Sequence, residues 1–369
     1  MLSEKELERI AKNIVNVSFG IKPKDVVVIY CGPESLKFAE ALAYECAMKG
    51  AQPTISYNSD ELSLKIYKKI NPRFLRFKPK LGWANLKAVN AEIDIDDTNP
   101  FLARQLPQKK IEIRRKAVKP LRRKKEKMNQ KKKLKSALIG FPTPETAKMM
   151  GIPFGKLDKI FWNTMQINYG KLYEYNKKLI QKLKGRNKIK IIGERTNLTF
   201  SVKGRKFINS SGVIANDKLG YINLPDGEVF VPPVENSANG EIYFDLPCMW
   251  HYGMQVEGVW FKFKKGKLVD YKIEKGEKNF ENVFKNASGD KNKIGEFAIG
   301  TNPRARTTGG MIIVDEKVRG TIHMALGHNK HFGGKNDSTL HWDFFKTMGK
   351  GSRLYADKKL IMKDGKIVG

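Results

Sequence analysis

Histidine is scarce in this 369-residue chain, with five residues in all, and cysteine is scarcer, with Cys31, Cys46 and Cys248 far apart. An odd, scattered set without a CxxC pair excludes a disulfide scaffold and a thiolate zinc site, and it fits a reducing cytoplasm. No apolar run approaches the roughly 20 residues that a membrane-spanning helix needs. The opening MLSEKELERIAKNIV alternates charged and apolar residues at helical spacing, where a signal peptide would carry an unbroken apolar stretch. Motifs of the HExxH, GxSxG and P-loop kinds are also missing; GGKN at 333–336 has only the end of a P-loop. Acidic residues are outnumbered as well, 38 against 70 Lys and Arg, which leaves a formal charge of +32.

That charge predicts attraction to polyanions and says nothing about fold. Much of it lies in the segment 107–135, PQKKIEIRRKAVKPLRRKKEKMNQKKKLK. A solvated helix face is the favoured reading of such a run. Nonspecific polyanion binding is the alternative, weakened because no aromatic residue interleaves within the segment to stack on bases.

An apolar fraction of 40% supports globular packing, and the length predicts two domains. DVVVIYCG reads as a buried strand. PESLKFAEALAYECAMKG reads as a helix closed by a glycine, and AQPTISYN as a second strand. This β-α-β unit predicts an α/β N-terminal domain with a parallel sheet. Only Gly32 occupies the first strand–helix turn, so the glycine fingerprint of dinucleotide binding is absent. ALIGFPTPETAKMMGI reads as strand then helix, and NYGKLYEYNKKLIQKLKG as a helix. Beyond Gly185 the chain breaks into short β-branched and aromatic runs such as GYINLPDGEVFVPPVE and NGEIYFDL, separated by Gly, Asn-Gly and Asp-Gly turns. The expected division is residues 1–185, α/β with the basic helical segment, and residues 186–369, largely β (α+β) and holding the site.

Four of the five histidines, His323, His328, His331 and His341, fall within 320–345. In STLHWDFF, read as a strand, His341 and Asp343 project to one face and Trp342 to the other. Such a pair can give one nitrogen and one oxygen ligand to a metal. His323, in the apolar GTIHMALG, would alone read as a core histidine with satisfied hydrogen bonds. Beside His341 and Asp343 the ligand reading prevails. Three carboxylates could complete a site: Glu228 after the turn LPDG, Glu296 in IGEFAIGTNP, and Glu316 in MIIVDEKVRG. Taken alone, Glu228 and Glu316 read as exposed turn residues. Glu296 is the most informative, since a carboxylate in an apolar strand is costly unless paired or metal-bound.

LPDGEVF, IGEFAIGTNP, VDEKVRGTIHMALG and HWD, in that order, together resemble the M29 family of metallo-aminopeptidases. GERTNLTFSVKGR and GFPTPETAKMMG extend the likeness over most of the chain. The resemblance implies a cytoplasmic, dimeric exopeptidase that removes residues from peptide N-termini. It implies two divalent ions, zinc, cobalt, manganese or magnesium, held by Glu228, Glu296, Glu316, His323, His341 and Asp343. Such ions polarise the scissile carbonyl and lower the pKa of bound water, with Glu228 or Glu316 as the residue that takes the proton. The chain departs from the family in the longer gap between Glu316 and His323. It also has Lys330 where a tyrosine is common, so Lys330 becomes the candidate substrate-binding residue, and Asn197 where an aspartate is frequent. His328 and His331 read as loop residues or, less favoured, as the rim of the site. The rival reading is a basic nucleic-acid- or ribosome-binding protein on a degenerate peptidase fold.

Overall fold

The computed structural model describes residues 3–215, 220–250 and 253–368. The chain forms two compact units, Met1–Tyr169 with Gly212–Pro225, and Gly170–Ser211 with Asp226–Gly369. The change of texture at Gly185 therefore falls inside the second unit. Met1 and Leu2 of the expected opening helix lie outside the described residues; the helix itself spans Glu4–Asn13.

The first unit is α/β, as the sequence predicts. Its sheet is parallel throughout, in the order Gln52–Tyr57, Val26–Cys31, Ala91–Asp96, Lys135–Gly140, Tyr221–Leu224. The helix Leu36–Met48 buries Phe38, Ala39, Leu42 and Cys46 at three- and four-residue steps. The fifth strand was not foreseen there, because GYINLP reads as part of the C-terminal β region. Its alternate residues Ile222 and Leu224 are buried, and it extends the sheet alongside Lys135–Gly140. All three cysteines are free and buried. Among the described residues no helix is long and apolar enough to cross a membrane.

The basic segment is a helix, Gln108–Gln130, with Asn129 its buried residue. It is anchored at few points. Arg114 donates to the Phe77 carbonyl at 2.8 Å, and Lys125 pairs with Glu92. Leu121 lies so close to Gly82 that a Cβ there would come within 2.6 Å of its Cδ2. The neighbouring helix Lys80–Ala88 thereby brings Trp83 beside Lys116, Lys119, Arg123, Lys124 and Lys127, around a groove of about 410 Å³. The aromatic residue that the segment itself lacks is supplied from elsewhere in the chain.

The second unit is antiparallel β with flanking helices. A nine-stranded sheet and a five-stranded sheet share one core rich in aromatic side chains, including Phe200, Phe244, Phe261, Phe280, Phe297, Trp342 and Phe344. Phe261 meets Phe344 edge to face, with ring centroids 4.8 Å apart, an arrangement worth about 0.5–1.5 kcal/mol beyond area burial. The five-stranded sheet carries the candidate site. Its order is His341–Thr347, Thr321–Gly327, Ile294–Gly300, Glu228–Val231, Ile208–Ser210.

Candidate metal centre

Strand alternation gives this sheet two unlike faces. Val229, Val231, Phe297, Ile299, Ile322, Met324, Leu326, Trp342 and Phe344 turn into the core. The pairing His323 with Ala298, Ala325 with Glu296 and Asp343, Gly327 with His341, and Gly300 with Glu228 puts all five candidate ligands of these strands on the other face. Ala298 and Ala325 lie between them, and their small side chains leave room above the strands. A bulge between Ile294 and Glu296 sets the Glu296 register.

The side chains converge. His323 Nε2 lies 3.2 Å from Glu228 Oε2 and 3.6 Å from Glu296 Oε1. His341 Nε2 lies 3.4 Å from Glu296 Oε2 and 3.8 Å from Asp343 Oδ1. Glu228, Glu296 and His323 each offer a ligand atom within 4.8 Å of the others. His341 Nδ1 is 2.8 Å from the carbonyl of His328. Donation to that carbonyl fixes the tautomer and turns the Nε2 lone pair toward the carboxylates, the orientation a metal ligand requires.

Glu316 arrives by a different route. The short helix Ile312–Asp315 precedes it, and Asp315 pins the preceding loop by accepting from Thr308 N at 2.6 Å and Gly310 N at 2.9 Å. The next residue, Lys317, is fully buried. Its Nζ lies 2.6 Å from Glu228 Oε1, 2.8 Å from Glu316 Oε2 and 3.7 Å from Asp226 Oδ1. Asp226 is itself buried, and accepts from Ser210 Oγ at 3.0 Å and from its neighbour Gly227 N at 2.7 Å. Gly227 has φ +142°, and a Cβ there would meet Asn302 Cβ at 2.7 Å, so only glycine fits this turn.

Four buried carboxylates, Asp226, Glu228, Glu296 and Asp343, and the partly buried Glu316 thus face one ammonium and two imidazoles. Burial alone would push every carboxyl up. For Glu296 the nearby imidazoles of His323 and His341 outweigh burial and hold it down to about 2. For Glu316 burial dominates over the pull of Lys317 and drives it up to about 7. Burial pulls the lysine down, yet Glu228, Glu316 and Asp226 raise it well above its ordinary value. His323 is raised in the same way, against burial, by Glu228 and Glu296. Carboxylate oxygens and imidazole nitrogens in this excess are a donor set that suits a divalent ion, so the residues present fit one.

The structure therefore brings together Glu228, Glu296, His323, His341 and Asp343, and joins Glu316 to them through Lys317. Lys330 is not brought in: it is half exposed, and its ammonium sits on Asp337 at 2.5 Å. Its loop carries it outward, so the candidate role in binding substrate has no support from geometry. His328 and His331 line a cavity of about 530 Å³ with Ile312, Phe332 and His341. Asn197 lies on the strand Thr196–Ser201 of the nine-stranded sheet. Lys317 and Asp226 escaped the sequence reading. The one available signal was a lysine between the apolar Val314 and Val318, hard to notice in a chain with 70 basic residues.

An oxygen-rich site with two imidazoles and no thiolate, set on rigid strands, defines a protein built to hold a divalent metal. The chain matches the thermophilic metalloprotease (M29) family over residues 3–367 and belongs to it. Among curated proteins it is 23% identical to aminopeptidase 2 of Geobacillus stearothermophilus over 92% of this chain and 91% of that one. It is 29% identical to aminopeptidase T of Thermus aquaticus, but over only 37% of this chain and 33% of that protein. Among solved structures, AmpT from Thermus thermophilus superposes with a TM-score of 0.77 at 20% identity, covering 99% of both chains. A 2,5-dihydroxypyridine dioxygenase from Pseudomonas putida KT2440 shares the fold at a TM-score of 0.64 and 13% identity, over 100% of this chain and 98% of that one. One architecture thus carries proteins named for different chemistries, and the reaction must be argued from the site.

Proposed function

We propose that the protein is a metal-dependent aminopeptidase that hydrolyses N-terminal residues from peptides. The observation that carries this reading is the convergence of Glu228, Glu296, His323, His341 and Asp343 on one face of one sheet. These residues would hold the divalent ion that the family implies, zinc, cobalt, manganese or magnesium. Such an ion supplies Lewis acidity, polarising a carbonyl and lowering the pKa of water. The chain's own contribution is to fix the donors on strands, to orient His341 through the His328 carbonyl, and to provide a carboxylate that takes a proton. Of the two candidates, Glu316 is the more exposed, 14% against 7% for Glu228. Glu228 has both oxygens engaged, by Lys317 and His323, so we assign the proton transfer to Glu316. The dinuclear form expected from the resemblance would need every one of these carboxylates, including the two that Lys317 touches. A homodimer is part of the same reading, and light scattering in solution tests it.

The test is hydrolysis of unblocked and N-acetylated peptides, with and without Co²⁺ or Zn²⁺, by the wild type and His341→Ala. Metal-dependent release of N-terminal residues, blocked by acetylation and lost in the variant, is expected. No turnover under any metal would overturn the proposal.

A second reading rests on the basic groove, where Trp83 stands among Lys116, Lys119, Arg123, Lys124 and Lys127. Cationic side chains beside an aromatic face are what single-stranded nucleic acid binds. Salt-dependent retention on RNA that survives His341→Ala and Asp343→Ala is its expected signature; retention by the wild type that is insensitive to salt would exclude it.

A further inference from the structure

We infer that Lys317 is a built-in cation that takes the place of one divalent ion, so that each chain binds a single metal. This inference rests on the metallopeptidase reading above and refines its site. The donor set divides at Glu228. Its Oε2 belongs with His323, Glu296, His341 and Asp343, while its Oε1 belongs with Lys317, Glu316 and Asp226. On the second side the Lys317 ammonium occupies a cage of three carboxylates that hard divalent ions favour.

The ammonium and a second divalent ion would draw on the same carboxylates. A divalent ion binds carboxylate oxygens at roughly 2.0–2.2 Å. The ammonium already lies 2.6 Å and 2.8 Å from the Glu228 and Glu316 oxygens such an ion would share. An ion bound to the same two oxygens would compete with Nζ for them.

The lysine has little freedom to withdraw. Its side chain is fully buried, and its backbone is tied on both sides, with N donating to the Val314 carbonyl at 3.0 Å and its own carbonyl accepting from Asn302 N at 2.9 Å. The adjacent Val318 packs against Gly300 so tightly that a Cβ on the glycine would come within 2.1 Å of the Val318 carbonyl oxygen. The longer stretch between Glu316 and His323, seen in the sequence as a departure from the family pattern, is the segment that carries this lysine into the cage.

The experiment is a metal count on the full chain. Protein stripped with EDTA is dialysed to equilibrium against Zn²⁺ and measured by mass spectrometry of the metal. The same protein is titrated with Co²⁺ and followed by its visible absorption. Wild type, Lys317→Met and His323→Ala are compared, with circular dichroism to verify folding. One ion per chain in the wild type, two in Lys317→Met, and loss of the wild-type ion in His323→Ala are expected. Two ions per wild-type chain would overturn the inference and leave the metallopeptidase reading intact. One ion in a folded Lys317→Met would also overturn it, since the lysine would then not be what excludes the second. Should Lys317→Met fail to fold, the wild-type count decides alone, one ion in favour and two against. No ion retained by the wild type would overturn the metallopeptidase reading and this inference together.

Discussion

The helix Gln108–Gln130 and the face shared by Glu228, Glu296, His323, His341 and Asp343 both concentrate charge, but the first holds it in water and the second out of water. In the helix, charges of one sign are tolerated at high density because solvent and salt screen them. Their positions are only loosely specified. On the buried face each charge needs a partner at a defined distance, because an unpaired one costs several kcal/mol. The exposed charge dominates the chain's composition, whereas the buried charge, a handful of residues, dominates its chemistry.

The comparison breaks most sharply at the ligands. His323→Ala and Asp343→Asn are expected to abolish metal retention and to reduce peptide turnover by at least about 10³-fold, since even outer-shell partners of a metal are worth roughly 10–100-fold. Zinc content by mass spectrometry and single-peptide kinetics check this. Retained metal with full turnover in either variant would move the reaction away from this face.

Next in size is the lysine. Lys317→Met removes the ammonium from Asp226, Glu228 and Glu316, and breaking a buried pair on one side costs about 3–5 kcal/mol. Urea unfolding in EDTA should show that loss, and added Zn²⁺ should restore a part of it by filling the vacated cage. A variant as stable as the wild type in EDTA would mean that these carboxylates do not depend on the ammonium.

The two regions were unequally legible. The basic helix is explicit in its composition, and the strand carrying His341 and Asp343 is explicit in its period, because polar and apolar residues alternate along HWDF and fix which side chains share a face. Glu296 stood out by being charged in an apolar run. Glu228 could be placed only through the turn before it and the family resemblance. What the sequence hid was distance. Nothing local in VDEKVRG says that Lys317 reaches Asp226 and Glu228, which lie some ninety residues upstream in the chain. Nothing in GYINLP says that this strand extends a parallel sheet of the first unit. Trp83 likewise lies well before the basic helix in sequence and beside it in space. Periodicity reports the face of a residue, and only tertiary packing reports its neighbours.

Smaller effects probe the floor of the site. Ala298 lies between the ligand strands, on the same face as His323, and Ala298→Leu would place a branched side chain where the ion is expected. Overpacking of this kind costs about 1–3 kcal/mol, so the variant should fold while losing most of its metal affinity. Calorimetric titration with Co²⁺ measures this. Unchanged affinity in a folded variant would show that the ion does not sit above this alanine.

The smallest effect on stability, and the most telling for the comparison, is expected on the helix. Replacing Lys116, Lys119, Arg123, Lys124 and Lys127 by glutamate changes charge by more than any substitution on the buried face. Exposed positions outside ion pairs nonetheless shift stability little, and Tm should stay within about 2 °C of the wild type. Peptide turnover should be unaffected, because none of these side chains lies on the sheet that carries the ligands. Retention on RNA is the property that should fall. The logarithm of affinity should lose about 0.7 of its slope against the logarithm of salt for each phosphate contact removed, and Trp83→Ala should weaken binding by about 1–3 kcal/mol for a stacked base. If the five glutamates left RNA retention unchanged, this helix would be a solvated face and nothing more. If they also lowered turnover, the exposed and buried charges would be coupled, and the separation drawn between the two regions would not hold.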